Sequence, residues 1–241
     1  MNFTYSDYRK LIALLWDNGY TFANYHNFEK HKRCIIMRHD VDNSLSQAVR
    51  LAELEKECGV QSTFFVLLRT DFYNAASASA QKILHRILEL GHEIGLHFDE
   101  MAYDGGSGED MIRRILWEKE MLSALLGTEV TTVSMHRPSK TTLDANWQIP
   151  GMVNSYGEMF FHSFKYLSDS RRRWREPVEN IICAGEYDRL HILTHPFWYH
   201  DEEKTITESV EAFIRSARHE RYLQMAENIT DIDSIIKEEN D

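Results

Sequence analysis

The sequence predicts an α/β fold, a parallel sheet covered by helices. Three observations predict it. Apolar residues alternate between helical spacing and short runs of strand length, glycines close the helical stretches, and the connections are a few residues long. Periodicity alone leaves a closed barrel and an open doubly wound sheet both open.

The elements follow in order. Tyr8, Leu11, Ile12, Leu15 and Trp16 are spaced as one face of a helix over 5–18 that Gly19 ends. Cys34 to Met37 is a short apolar run, a buried strand. Leu45, Ala48, Val49, Ala52 and Leu54 give a helix over 44–58, stopped by Gly59. A strand is expected over 63–68 and a helix over 80–90, capped by Gly91. The next strand is 92–96, and an amphipathic helix spans 109–126 up to Gly127. Val130 to Met135 reads as a strand. The pattern is irregular from there to Asn180. Ile181 to Ala184 and Leu190 to Thr194 read as the last strands, followed by a helix over 206–225 and an acidic tail with a short helix. No linker, repeat or low-complexity block interrupts the chain, so one domain over 1–241 is expected.

Composition narrows the function. A hydrophobic fraction of 43% and a charged fraction of 27% are those of a globular protein. The net charge of −11 disfavours nucleic acid and anionic membranes as partners. Cys34, Cys58 and Cys183 are odd in number and have no CxxC spacing, which excludes a thiolate zinc site and a disulfide framework and leaves buried free thiols as the expectation. Residues 1–10 are polar, and no run of about eighteen apolar residues occurs, so no membrane insertion and a cytoplasmic location are expected.

In parallel α/β folds, functional groups sit at the carboxyl ends of strands. Here those ends run into Arg38-His39-Asp40-Val41-Asp42, Arg69, His97-Phe98-Asp99, His136-Arg137 and His195. Four of the twelve histidines thus fall at strand ends, one with two aspartates, which a random scatter would seldom give. Histidine with carboxylate and no cysteine is a ligand set for one divalent metal, Zn²⁺ first, with Co²⁺, Fe²⁺, Mn²⁺ or Ni²⁺ as alternatives. Asp40 and Asp42 point the same way if the segment is extended, so one can hold the ion while the other takes a proton from water.

These residues resemble the polysaccharide deacetylase family of carbohydrate esterases. The resemblance covers roughly Cys34 to Phe197 and implies a distorted (β/α)7-type barrel with parallel strands. Arg38-His39-Asp40-Val41-Asp42 is similar to the family's first motif, which implies Asp40 as catalytic base and Asp42 as metal ligand. The stretch from Gly59 to Val66 resembles the second core strand. Gly91-His92-Glu93-Ile94-Gly95-Leu96-His97 resembles the start of the second motif and puts His97 on a metal histidine. Met101 stands where the family usually has a second one, leaving His136, Asp99 or water as third ligand, with His136 ranked first. His136-Arg137-Pro138 resembles the Arg-Pro motif, implying that Arg137 orients Asp40. Leu193-Thr194-His195 resembles the Leu-x-His motif, implying His195 as general acid. Ser168-Asp169-Ser170 and Trp174 lie where the family shapes its substrate groove, and Arg69 joins Asp169 and Trp174 as a candidate substrate contact.

The implied activity is metal-dependent removal of an N-acyl group, acetyl first, from a small or precursor-linked sugar, as in the building of a surface polysaccharide. Two rivals stand beside it: a cyclic imide or ureide amidohydrolase, and a non-catalytic carbohydrate-binding protein with a degraded site. Arg171 to Arg175 reads either as a phosphate contact or as a solvated basic loop.

Overall fold

The computed structural model describes residues 1–236, in two compact units, Met1–Asp201 and one that begins at Glu202. The first unit holds every strand and every candidate site residue. Its order is α1 (Tyr5–Asp17), β1 (Thr21–Ala23), β2 (Cys34–Val41), α2 (Leu45–Glu57), β3 (Thr63–Leu67), α3 (Ala78–Glu89), β4 (Glu93–Asp99) and α4 (Gly108–Leu126). Then come β5 (Thr132–His136), α5 (Lys140–Asp144), β6 (Val153–Asn154), α6 (Glu158–His162), β7 (Lys165–Ser168), α7 (Val178–Ala184) and β8 (Arg189–Thr194). The second unit contains α8 (Ile206–Ala226), opened by a Thr205/Glu208 capping box, and α9 (Ile232–Ile235). The end of the acidic tail lies outside the described residues.

All pairings are parallel, in the order β6-β5-β4-β3-β2-β8-β7. The sheet curls into a half-barrel whose two outer strands, β6 and β7, do not pair with each other. Strand β2 is its axis. It pairs with β8 from Cys34 to His39, with β1 from Cys34 to Ile36, and with β3 from Arg38 to Val41, so β1 and β3 share one edge at different heights.

The two faces separate by strand alternation. Ile35 and Met37 turn outward to join Leu11, Leu15, Ile182, Leu190 and Ile192 beneath α1 and α7. Phe64, Val66, Leu96 and Val133 pack outward on Ala48, Ala52, Leu84, Ile115 and Leu122 of α2, α3 and α4. Cys34 and Ile36 turn inward, where Tyr25, Phe28, Phe65, Phe160 and Phe164 fill the barrel. Gly95 is required here, because a Cβ would stand 2.5 Å from the Phe65 ring and 2.6 Å from Thr132 Oγ1. Serine and threonine side chains cap α1, α2, α3, α4 and α5.

Two expectations need correction. Ile181 to Ala184 is the last turn of α7, not a strand: a short apolar run fits either element, and Gly185, left-handed at φ 66°, is a helix stop. The thiols are free, but only Cys34 is buried, while Cys183 is exposed. The irregular region also contains β6, β7, α5 and α6, elements of two to five residues that are too short for a period to show. Among the described residues no helix is long and apolar enough to cross a membrane.

Two buried groups of α4, Glu118 and Lys119, depart from the apolar pattern, and Glu118 is the more deeply buried. Glu118 lies between Ile115 and Leu122 on the buried face and accepts the Tyr103 hydroxyl at 2.5 Å, and its second oxygen has no partner. Burial pushes its carboxyl up to about 7. A carboxyl raised in the folded state favours folding below the unfolded value near 4.3, and that support is lost as pH rises toward 7. Relative to wild type, Glu118→Gln should therefore gain roughly 1–3 kcal/mol of stability between pH 5 and pH 8. Denaturant titrations at both pH values check this, and parallel curves would contradict it.

Candidate metal and hydrolytic site

The carboxyl ends of β2, β4, β5 and β8 bring Asp42, His97, His136 and His195 to one rim. Asp42 Oδ1 stands 3.2 Å from His97 Nε2 and 3.3 Å from His136 Nδ1, and the two nitrogens are 3.2 Å apart. Among the described residues these are the three that offer a metal-ligand cluster. The donors fit a divalent ion. A tetrahedral ion with bonds of about 2.0–2.1 Å needs ligand atoms about 3.3 Å apart. Asp42 Oδ1 is buried with no well-aligned hydrogen bond, and two imidazole nitrogens facing each other and a carboxylate call for positive charge between them. The set is N, N, O without sulfur, which suits zinc and the first-row ions near it.

Asp99 does not join the cluster in place of His136. Asp99 turns back to accept the Met101 amide and pair with Arg137. Met101 lies in a short 3₁₀ turn, 66% exposed.

Asp40 and His195 flank the triad. Asp40 Oδ2 is 3.6 Å from His97 Nε2, and His195 Nε2 is 3.9 Å from Asp42 Oδ2. Asp40 is buried, and its partner is Arg38, whose Nη2 reaches its two oxygens at 2.6 and 2.8 Å. The Arg38 guanidinium is wholly enclosed in the barrel. It donates to Ser155 Oγ at 2.9 Å and to Ser134 Oγ, with the Phe65 and Tyr156 rings 4.8 and 5.2 Å away. Burial would raise the Asp40 carboxyl, but Arg38, then His97 and His195, outweigh it and hold it below the usual range. The expectation that Arg137 orients Asp40 is corrected. Strand β2 runs on to Val41, so Arg38 and Asp40 are neighbours on its inner face, while Arg137 is 61% exposed and pairs with Asp99.

Asp169 is corrected too. It is fully buried, out of reach of any groove. Its Oδ1 accepts His195 Nδ1 at 2.6 Å, and its Oδ2 accepts the His195 amide at 3.2 Å and the Tyr199 hydroxyl at 3.1 Å. Burial works against a charged His195, but Asp169, with Asp42 and Asp40, outweighs it and holds the imidazole up at about 9. Trp174 is half-buried against the apolar cluster of α1, α7 and β8. Arg69 is exposed, its guanidinium 4.5 Å above the Tyr103 ring. In the basic run, Arg172 lies over the Phe3 ring at 5.0 Å, and the Arg173 amide binds the Asp169 carbonyl.

His39 belongs to a different site. It faces outward, where Nδ1 meets Thr194 Oγ1 at 2.7 Å and Nε2 meets Glu55 Oε1 at 3.0 Å. Glu55 is buried and also accepts Tyr8 and Ser62 hydroxyls at 2.6 and 2.5 Å. The group ties α2 and α1 to β2 and β8 directly behind His195.

Two groups were not expected from the sequence as parts of the site. Arg38 carries a visible signal, opposite charges two residues apart in a strand pattern. Tyr199 carries none.

No protein-family model and no curated protein matches this chain. Similar solved structures include proteins of carbohydrate esterase family 4 and polysaccharide deacetylases, the family that the sequence motifs resemble. The polysaccharide deacetylase from Bacillus cereus shares 14% identity over 78% of this chain and 88% of its own, with a TM-score of 0.47. The family 4 acetyl xylan esterase from Clostridium thermocellum, solved with cobalt, shares 17% over 77% and 84%, at 0.43. A family 4 pseudoenzyme from Bacillus anthracis shares 17% over 79% of this chain and 62% of its own, at 0.47. With identities below 20% and TM-scores below 0.5, these likenesses assign no activity to this chain.

The Arg38–Asp40 pair yields a thermodynamic test. Arg38→Gln leaves a buried carboxylate alone and should cost about 3–5 kcal/mol of stability. In an Asp40→Asn background the same change should cost less than half as much, read from denaturant titrations as a double-mutant cycle. Equal costs in both backgrounds would show that the pair is not coupled.

Proposed function

We propose that this chain is a metal-dependent hydrolase that removes an N-acyl group, acetyl in the first instance, from a sugar or sugar-bearing precursor. The observation that carries the reading is the convergence of the Asp42, His97 and His136 donors with Asp40 on one side and the His195–Asp169 pair on the other. The sugar half of the reading rests on the resemblance of the motifs.

Asp42, His97 and His136 would hold the ion. When bound, a divalent ion there polarises the acyl carbonyl and acidifies a water. Asp40, kept ionised by Arg38, accepts a proton as the water oxygen attacks the acyl carbon. His195 is held by Asp169 through Nδ1, so Nε2 faces the site, and from there it gives a proton to the amide nitrogen as the C–N bond breaks. The products are a carboxylate and a free amine. Burial of Asp169 serves this step: a carboxylate that cannot turn away fixes both the orientation and the charge of the imidazole.

The test is acetate release from N-acetylglucosamine and its short oligomers by protein purified without chelator or histidine tag and supplied with Zn²⁺ or Co²⁺. His195→Ala should lower kcat by about 10²–10⁴-fold, and Asp169→Asn by about 10–100-fold. Hydrolysis of a cyclic imide or ureide with no acetate release would favour the amidohydrolase rival. Metal binding with no hydrolysis of either class would favour a carbohydrate-binding protein.

A further inference from the structure

A second feature of the same rim is a concavity of about 420 Å³ lined by Arg69, Tyr103, Asp110, Arg113, Arg114 and Trp117. It lies past the ends of β3 and β4: Leu67 of β3 is in register with the ligand His97, Arg69 follows two residues on, and Tyr103 comes shortly after Asp99. The Tyr103 ring carries two guanidinium groups, Arg69 at 4.5 Å and Arg114 at 4.6 Å from its centre, and its hydroxyl is anchored on Glu118.

The charge arrangement is unusual for this chain. It has 38 acidic against 27 basic residues, yet among the described residues neither Arg69 nor Arg114 has a carboxylate within ion-pair distance. Arg114 donates to the Gly105 carbonyl, and the one acid lining the concavity, Asp110, is engaged by Arg113 and by the Ser107 cap of α4. Two like charges held on one ring repel, and an anion bound by both offsets that repulsion. Guanidinium forks match phosphate oxygens. Trp117, 53% exposed at the same edge, offers a flat apolar face to a sugar or base, and the volume suits a ligand of that size.

We propose that this concavity is an anion subsite that binds the phosphate or diphosphate of a phosphorylated N-acyl sugar, with Arg69 and Arg114 as its phosphate contacts and Trp117 as its apolar wall. The assignment to substrate, as opposed to a separate ligand, rests on the hydrolase reading above. The subsite selects substrates whose sugar is already esterified to phosphate, so the reaction that supplies them is a phosphoryl or nucleotidyl transfer to an N-acyl sugar.

Binding is tested first, independently of hydrolysis. Binding is followed by calorimetry as inorganic pyrophosphate is added to the Asp42→Asn chain, a background that weakens metal binding at the proposed ligands. Saturable binding is expected, weakened about tenfold or more by Arg69→Gln with Arg114→Gln, and less by the paired lysine substitutions, which keep the charge and lose the fork. No saturable binding, or equal affinity in the glutamine and parent chains, overturns the subsite.

Hydrolysis is tested second, with N-acetylglucosamine, its 1-phosphate and a nucleoside-diphosphate ester. The 1-phosphate should exceed the free sugar in kcat/KM by about tenfold or more, and the glutamine pair should erase that gain. Equal values for the two overturn the subsite. A further gain with the nucleoside-diphosphate ester supports it and assigns a nucleotide carrier, while no further gain supports it with phosphate alone. If pyrophosphate binds through Arg69 and Arg114 and no sugar is hydrolysed, the subsite stands and the hydrolase reading falls. If sugars are hydrolysed and pyrophosphate does not bind, the hydrolase reading stands and the subsite falls.

Discussion

A carboxylate at the inner edge of a barrel needs a cation beneath it, and in this protein that cation is Arg38. Burying either charge alone is costly. Together, 2.6 Å apart on the same face of β2, they let Asp40 stay ionised 3.6 Å from His97. The rest of the interior is arranged around that guanidinium. Ser134 and Ser155 accept from its Nη2 and Nη1 at β5 and the end of β6, and the Phe65 and Tyr156 rings enclose it. Phe65 in turn fills the space that Gly95 leaves open. A barrel filled only with aliphatic side chains would pack as well and would hold no buried carboxylate.

The rim is supported from behind by the same device, a fully buried carboxylate with all its oxygens used. Asp169 holds His195 through two hydrogen bonds and is itself held by the Tyr199 hydroxyl. Glu55 gathers Tyr8, His39 and Ser62, and His39 passes the constraint to Thr194, the residue before His195. Burial alone would raise the Glu55 carboxyl, but His39 and His92 outweigh it and hold it down. His195 thus sits at a strand end gripped from both faces, the preorganisation that its proposed role as proton donor needs.

The outer layers of the fold were legible in the sequence because helices α1 to α4 are long enough to show a period and end on glycines. The rim was legible because histidine and aspartate cannot stand at buried strand ends without a reason, so Asp42, His97, His136 and His195 declared themselves. The remainder was hidden for two physical reasons. Strands such as β6 and β7 are too short to carry a pattern, so nothing in the spacing showed that Asp169, placed at the groove by the resemblance, is buried beside His195. The inner face of β2 turns polar after Ile36, which made a strand look finished at Met37 when it continues to Val41. Arg137 was set beside Asp40 by the likeness to the Arg-Pro motif, in the place that Arg38 holds. His39 misled for the complementary reason: it stands at a strand end but on the outer face, and no pattern of spacing separates the two faces once the boundary is in doubt.

The central claim is that the two imidazoles and the carboxylate of Asp42, His97 and His136 together bind one divalent ion. X-ray absorption at the metal edge of the loaded protein tests it most directly. The predicted result is about one ion per chain with two imidazole nitrogens, oxygen donors for the remainder and no sulfur, falling to one imidazole in His136→Ala. An unchanged shell in His136→Ala, or no bound ion in the intact protein after loading with zinc or cobalt, would contradict the account.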